Sequence, residues 1–303
     1  MNRVEREELL RRWFRKSSDS ENERMDRAVR MVTQAVESHA AFDDATYRIY
    51  PKGSYANETN VRVDSDVDIV VQNQELFYFD YDPDAITPAP DFNHHPYKGQ
   101  WTPDLWRSEV TAALTAKFGR SGIDTTGSVA IRVKEVTNSR PSTDVVPAFD
   151  YKRFVTSDRR RYHEGSRTYS KERKAITNFP EQQLVNGREK HRETGRRYKR
   201  YVRALKNAEN VLVKDGAIDE LPSYFMECLM WNVPNAVINS GDQFEGLELS
   251  LFWLFTELRQ QNYDPRDWVE PNRLKWLFVD QDKWTPEQAR DLALATLAHL
   301  GLI

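Results

Sequence analysis

Two carboxylates one residue apart, in Ser65-Asp66-Val67-Asp68-Ile69-Val70-Val71, carry the strongest chemical signal in the chain. The β-branched run beginning at Val67 reads as a strand, and alternation along a strand puts Asp66 and Asp68 on one face. Val67, Ile69 and Val71 then point the other way, into a core. Two carboxylates held side by side repel each other unless a cation or a proton lies between them. Hard oxygen donors at this spacing suit Mg²⁺, which also takes phosphate oxygens. A third carboxylate is expected from another strand, and Thr143-Asp144-Val145-Val146 offers Asp144 with the same polar-then-apolar alternation. Asp64 falls on the face of Asp66 and Asp68, either as a residue leading into the strand or as a further ligand. An i, i+2 pair of aspartates alone is commonly a solvated strand face. Gly53-Ser54 upstream and the third strand aspartate turn the reading toward a metal site.

The elements that must position these residues follow from periodicity. The first 38 residues read as helical, with Leu9, Leu10, Trp13 and Phe14, then Met25, Val29, Val32, Ala35 and Val36 at helical spacing. Strands are expected at Tyr47–Tyr50, Val67–Val71, Val129–Val136 and Val145–Phe149, and a helix at Asp104–Phe118. Residues 80–103 read as a long surface loop and residues 152–194, poor in aliphatics, as loop or irregular structure. A helix follows at Arg196–Val213, with further helical patterns at about 221–239, 243–260 and 286–300. The order predicts an α+β protein, a sheet lobe joined to a helical C-terminal lobe with the active site in the cleft between them. The expected divisions are 1–155 for the N-terminal helices and sheet core, 156–195 for a basic lid or loop, and 196–303 for the helical lobe.

Composition excludes more than it selects. The 303 residues carry a net charge of −3 and a single cysteine, Cys228, so neither an intrachain disulfide nor a Cys-cluster zinc site is available. No apolar run approaches the roughly 18 residues of a membrane span, and the N-terminus lacks a secretory signal pattern, so a cytoplasmic protein is expected. The near-neutral sum hides a segregation. Residues 152–206 hold 18 Lys and Arg against 6 Asp and Glu, between two acidic segments. Such a segment is either a solvated face paired with acidic neighbours or a surface for a polyanion such as a nucleotide triphosphate or RNA. No Gly-x-x-x-x-Gly-Lys-Ser/Thr loop or Gly-x-Ser-x-Gly elbow occurs, and His94-His95 lacks partners at zinc spacing.

Gly53-Ser54, eleven intervening residues and Asp66-Val67-Asp68 resemble the signature of the DNA polymerase β-like nucleotidyltransferase superfamily. The fuller string from Gly53-Ser54-Tyr55-Ala56-Asn57 to Ser65-Asp66-Val67-Asp68-Ile69 resembles the cGAS/DncV-like nucleotidyltransferases, bacterial enzymes that make cyclic oligonucleotide signals in anti-phage defence. Leu221-Pro222-Ser223-Tyr224-Phe225-Met226-Glu227-Cys228-Leu229 is similar to clade E of that group. The likeness spans roughly residues 45–240.

This resemblance implies a polymerase β-like sheet lobe and two-metal nucleotidyl transfer, with Asp66, Asp68 and Asp144 catalytic and holding two Mg²⁺ ions, or Mn²⁺ in their place. Gly53 would let the backbone approach phosphate oxygens, and Ser54 would add a hydroxyl and an N–H. Ser223 matches a residue that binds a distal phosphate, Tyr224 one that stacks on the donor base, and Lys206 a triphosphate-binding lysine. Asn178 matches a lid position where asparagine goes with pyrimidine use, and its amide can pair with a uracil edge. The implied substrates are NTPs, UTP and ATP favoured, and the implied product is a cyclic dinucleotide such as cyclic UMP-AMP, read by a downstream effector. An RNA activator on segment 152–206 is compatible. Two other readings stay open. One is a template-independent RNA-tailing enzyme of the poly(A) or CCA-adding type, and the other a catalytically silent RNA-binding protein of the same fold.

Overall fold

Reciprocal side-chain caps start several of the helices. Asn2, Ser18, Asp242 and Thr285 each accept from the third backbone N–H inside the helix, and a Glu or Gln there reaches back. The computed structural model describes residues 1–61, 66–82, 85, 97–259, 263–279 and 283–303. In chain order its helices are α1 (Arg3–Trp13), α2 (Asp19–Glu37), α3 (Gly53–Ala56), α4 (Pro103–Phe118), α5 (Pro180–Glu193), α6 (Tyr198–Lys214), α7 (Ser223–Asn232), α8 (Asn235–Ile238), α9 (Gln243–Glu257) and α10 (Pro286–His299). The strands are β1 (Tyr47–Lys52), β2 (Val67–Tyr81), β3 (Ile123–Asp124), β4 (Ile131–Val133), β5 (Thr143–Phe154), β6 (Tyr162–Tyr169) and β7 (Ala175–Asn178). None of the described helices is long and apolar enough to cross a membrane.

The chain divides into two units. One, the sheet unit, comprises Ser18–Tyr55 and Asp64–Glu181. Its strands run in the order β1-β2-β5-β4-β3, with β6 on β5 and β7 on β6. Strand β2 is antiparallel to β1 and parallel to β5. One face buries Val67, Ile69, Val71, Val145 and Phe149 against Met25, Val32 and Val36 of α2 and Trp106, Val110 and Leu114 of α4. Trp106 is fully buried and donates its indole N–H to the Val71 carbonyl at 3.0 Å, so the helix is tied to the strand that carries Asp68.

The helical unit comprises Met1–Ser17, Ala56–Val63 and Gln182–Ile303. Its core takes Tyr198, Val202 and Leu205 of α6, Phe225 and Leu229 of α7, Leu251 of α9 and Leu297 of α10. Phe225 stacks on Trp284 at 5.0 Å with the rings 7° apart.

Two expectations change. The divisions 1–155, 156–195 and 196–303 do not match these units: α1 belongs to the helical one, because Leu10, Trp13 and Phe14 pack in its core, and the sheet unit runs on to Glu181. Residues 152–194 are not irregular but form the end of β5, then β6, β7 and α5. Their regularity is hidden because the buried positions of β6 are Gly165, Ser166 and Thr168, and Arg167 covers the Tyr151 ring at 4.5 Å. Helix α5 buries only Gly187 and Lys190, so it shows no apolar stripe.

Candidate active site

Parallel pairing of β2 and β5 sets Asp68 directly opposite Asp144. Because side chains alternate, both leave the sheet on the face opposite Ile69 and Val145, which are fully buried. Asp66 lies just before β2, where Val67 N–H donates to the Ser142 carbonyl at 3.0 Å and pins the strand's start. Three aspartates that the sequence singles out are thus brought to one end of the sheet. Asp64 lies outside the described residues, as do His94 and His95.

Arg132, which sequence reasoning missed, joins them. It lies opposite Asp144 across the antiparallel β4–β5 pair. Its Nε donates to Asp144 Oδ1 at 2.9 Å, and its Nη2 to Asp144 Oδ2 at 3.2 Å and to Asp66 Oδ2 at 3.1 Å. The hydrogen bond and charge of Asp144, then the charge of Asp66, raise the guanidinium pKa above its already high ordinary value. A signal was present: an exposed arginine between two apolar residues of a short strand projects onto the polar face of the sheet.

Gly53, at φ +71°, opens α3, with Ser54 next to it. A Cβ at Gly53 would collide with the Asp68 carboxylate, whose Cγ would stand only 3.3 Å away. The glycine therefore lets the backbone come up to the carboxylate, a close approach only that residue permits. Asn178 ends β7 in register with Ser166, which faces Asp150 on β5. The predicted lid residue is part of the sheet.

The donor set fits a divalent cation. It consists of hard carboxylate oxygens, and a cation, the Arg132 guanidinium, already bridges two of them. As arranged, among the described residues no three acidic, histidine or cysteine side chains converge closely enough to hold an ion. Asp144 has turned both oxygens to Arg132.

The helical unit holds the other predicted residues. Lys206 is buried on α6, its Nζ donating to Thr59 Oγ1 at 3.4 Å. Thr59 donates to Glu227 Oε2 at 3.1 Å, while Asn57 and Gln183 each donate to Glu227 Oε1 at 2.9 Å. Glu227, one helical turn beyond Ser223, thus anchors the segment that follows Gly53-Ser54 in the chain. Lys199 and Arg203 share the Lys206 face of α6 and are also buried. Lys199 reaches Glu58 at 3.7 Å, and Arg203 donates to the carbonyls of Phe14 and Glu58. Burial first, then Lys199 and Arg203, push the neighbouring His191 down to about 4.

Ser223 is exposed at the start of α7. Tyr224 beside it donates its hydroxyl to Glu270 Oε2 at 3.2 Å, and Lys283 pairs with Glu270 Oε1 at 2.9 Å while covering the Trp284 ring at 3.9 Å. Burial, with Cys228 and Glu270 nearby, raises the Tyr224 phenol well above its ordinary value. Glu270 and Lys283 lie far from any motif in sequence, and nothing in the chain marked them.

Several charges of the basic segment are spent inside the units. Lys190, Lys199, Arg203 and Lys206 are buried in the helical unit, and Arg197 caps the carbonyls of Ile238, Ser240, Gly241 and Asp242. In the sheet unit Arg167 pairs with Asp80.

Comparison with known proteins adds what geometry alone does not. Residues 185–301 match the family model of the cGAS/DncV-like nucleotidyltransferase C-terminal helical domain. The chain is 33% identical over 297 residues to a cyclic dipyrimidine nucleotide synthase, CdnE, of Cecembia lonarensis, covering 97% of this chain and 98% of that one. It is 34% identical over 301 residues to a cyclic dipurine nucleotide synthase of Elizabethkingia meningoseptica, covering 97% and 98%. The structure of the Rhodothermus marinus CdnE c-UMP-AMP synthase with Apcpp and Upnpp superposes with a TM-score of 0.81 at 27% identity, over 97% of this chain and 96% of that one.

Proposed function

The chain belongs to the cGAS/DncV-like nucleotidyltransferases, in the CdnE group of clade E, and on that premise we propose that it is a cyclic dinucleotide synthase joining two NTPs with release of pyrophosphate. The observation that carries this reading is the pair Asp68–Asp144, in register on parallel strands with Asp66 on the same face and Gly53 against Asp68. Asp66, Asp68 and Asp144 would hold two divalent ions, Mg²⁺ by the hardness of the donors, and these supply charge neutralisation at the triphosphate and a lower pKa at the attacking hydroxyl.

The chain's own residues do the positioning. Gly53 admits phosphate to the backbone beside Asp68, and Ser54 adds a hydroxyl. Lys206, held at Thr59, supplies charge to the triphosphate, Ser223 a hydroxyl to the distal phosphate, and the Tyr224 ring a stacking surface for a base. Catalysis of this kind is mostly orientation and electrostatic stabilisation.

The product is proposed to contain a pyrimidine, with cyclic UMP-AMP favoured, and to act as a second messenger in anti-phage defence. Asn178 supports the pyrimidine, since its amide can donate to a uracil carbonyl and accept from N3–H. Overall identity does not choose, because relatives named for dipyrimidine and dipurine products match equally well. Labelled NTPs with Mg²⁺ or Mn²⁺, followed by phosphatase and mass spectrometry, test the proposal. A discrete phosphatase-resistant product that disappears in Asp66→Asn with Asp68→Asn is expected. A ladder of products on added RNA would instead indicate tailing.

A further inference from the structure

We infer that Arg132 is a positioning residue that controls when the Asp66/Asp144 pair accepts a divalent cation. The inference rests on reading that pair as part of the metal site.

The backbone leaves Arg132 little choice of direction. Strand β4 is three residues long, and its flanking residues Ile131 and Val133 are fully buried. Alternation therefore projects Arg132 onto the carboxylate face, and its register opposite Asp144 sets the reach. The guanidinium then takes both oxygens of Asp144 in a fork and shares one nitrogen with Asp66. Forked arginine–carboxylate pairs are the strongest of their kind in geometry and energy.

The same lone pairs are what a divalent cation would need. An ion bound to Asp144 and Asp66 would also meet a fixed positive charge at van der Waals range. The two cations compete for these oxygens, so loosening the Asp144–Arg132 fork favours Asp144 as a ligand. Partial exposure makes the exchange feasible: half of the Arg132 side chain, about two-fifths of Asp66 and just under a quarter of Asp144 face solvent, which keeps the ion pairs from being locked. Arg132 thus does two things. It relieves repulsion between Asp66 and Asp144 while no ion is bound, and it raises the ion concentration at which they are captured.

The test is binding of free Mn²⁺, without nucleotide, followed by loss of the aqueous Mn²⁺ paramagnetic signal. Arg132→Gln is expected to bind Mn²⁺ about threefold to fivefold more tightly than the natural protein, the scale of a single exchangeable ion pair. Arg132→Lys, which keeps charge but not the fork, should fall between the two and serves if the Gln variant does not fold. Melting in chelator should be lower for Arg132→Gln, and added Mn²⁺ should raise it by more than in the natural protein. Unchanged or weaker Mn²⁺ binding by folded variants overturns the inference, as does a melting deficit that Mn²⁺ leaves untouched, which would mark a purely structural ion pair. Asp66→Asn with Asp68→Asn is the control. If neither Arg132→Gln nor the natural protein binds more Mn²⁺ than this control, the metal-site reading itself fails, and Arg132 falls with it.

Discussion

Gly53 and Asp68 lie so close that no side chain larger than hydrogen fits between them: a methyl at Gly53 would have the Asp68 Cγ at 3.3 Å and a carboxylate oxygen nearer still. The two residues belong to different elements, and their contact is what the Gly-Ser motif provides at this end of the sheet. Gly53→Ala should therefore push the Asp68 carboxylate out of place and strain the backbone at φ +71°. A stability loss of about 1–2 kcal/mol in urea is expected from the left-handed conformation. Product formation should fall far more, by about a hundredfold or greater, as displaced catalytic groups typically cost.

Glu227 accepts from Asn57, Thr59 and Gln183, all neutral donors, in a buried position. Glu227→Gln places an amide that cannot accept against one of them, at a cost of about 1–3 kcal/mol in urea unfolding. Because Thr59 also receives Lys206, the KM for NTP should rise more than kcat falls. A fall in kcat alone would separate Glu227 from phosphate binding.

Tyr224 divides into a ring and a hydroxyl with separate tasks. Tyr224→Phe removes the hydroxyl's bonds to Glu270, which keeps Asn272 and Lys283, and to Cys228, so a loss of about 1 kcal/mol in stability is expected with nucleotide binding near normal. Tyr224→Ala removes the stacking surface and should weaken NTP binding by about 1–3 kcal/mol. Equal damage from both substitutions, in equilibrium binding of a non-hydrolysable NTP, would show that the hydroxyl and not the ring is used.

His191 makes the stability depend on acid. The folded protein holds this imidazole neutral down to about pH 4, because burial and the nearby Lys199, Arg203 and Lys16 disfavour its charge. The unfolded chain takes up the proton near pH 6.5. More protons on the unfolded state means that stability from this group is whole above pH 6.5 and is lost as pH falls from there toward 4. Urea midpoints at pH 7.5, 6.0 and 5.0 should decline more steeply in the natural protein than in His191→Gln. Parallel declines would assign the acid sensitivity elsewhere.

The chemistry was more legible than the architecture. Strand alternation alone placed Asp66 and Asp68 on one face and anticipated Asp144 on a second strand, because period-two burial leaves a strong mark in residues such as Ile69 and Val145. The helices α4, α6, α9 and α10 were likewise visible from their apolar spacing. What escaped was structure stabilised by means other than aliphatic burial. Strands β6 and β7 use Ser, Thr and arginine-on-aromatic contacts, and α5 is almost wholly polar, so no hydrophobic period reports them. Arg132 had a local signal that went unread, while Glu227 and Glu270 were missed for a related reason. Each owes its place to a partner distant in sequence, and pairing across such distances has no local pattern.

The segment Ala56–Val63, counted with the helical unit although both flanks belong to the sheet unit, bears on heredity as much as on folding. The chain changes unit after Ser17, after Tyr55, after Val63 and after Glu181. A single genetic crossover between two relatives therefore cannot take one unit whole from each parent, since the helical unit, with pieces on both sides of the sheet unit, is always mixed.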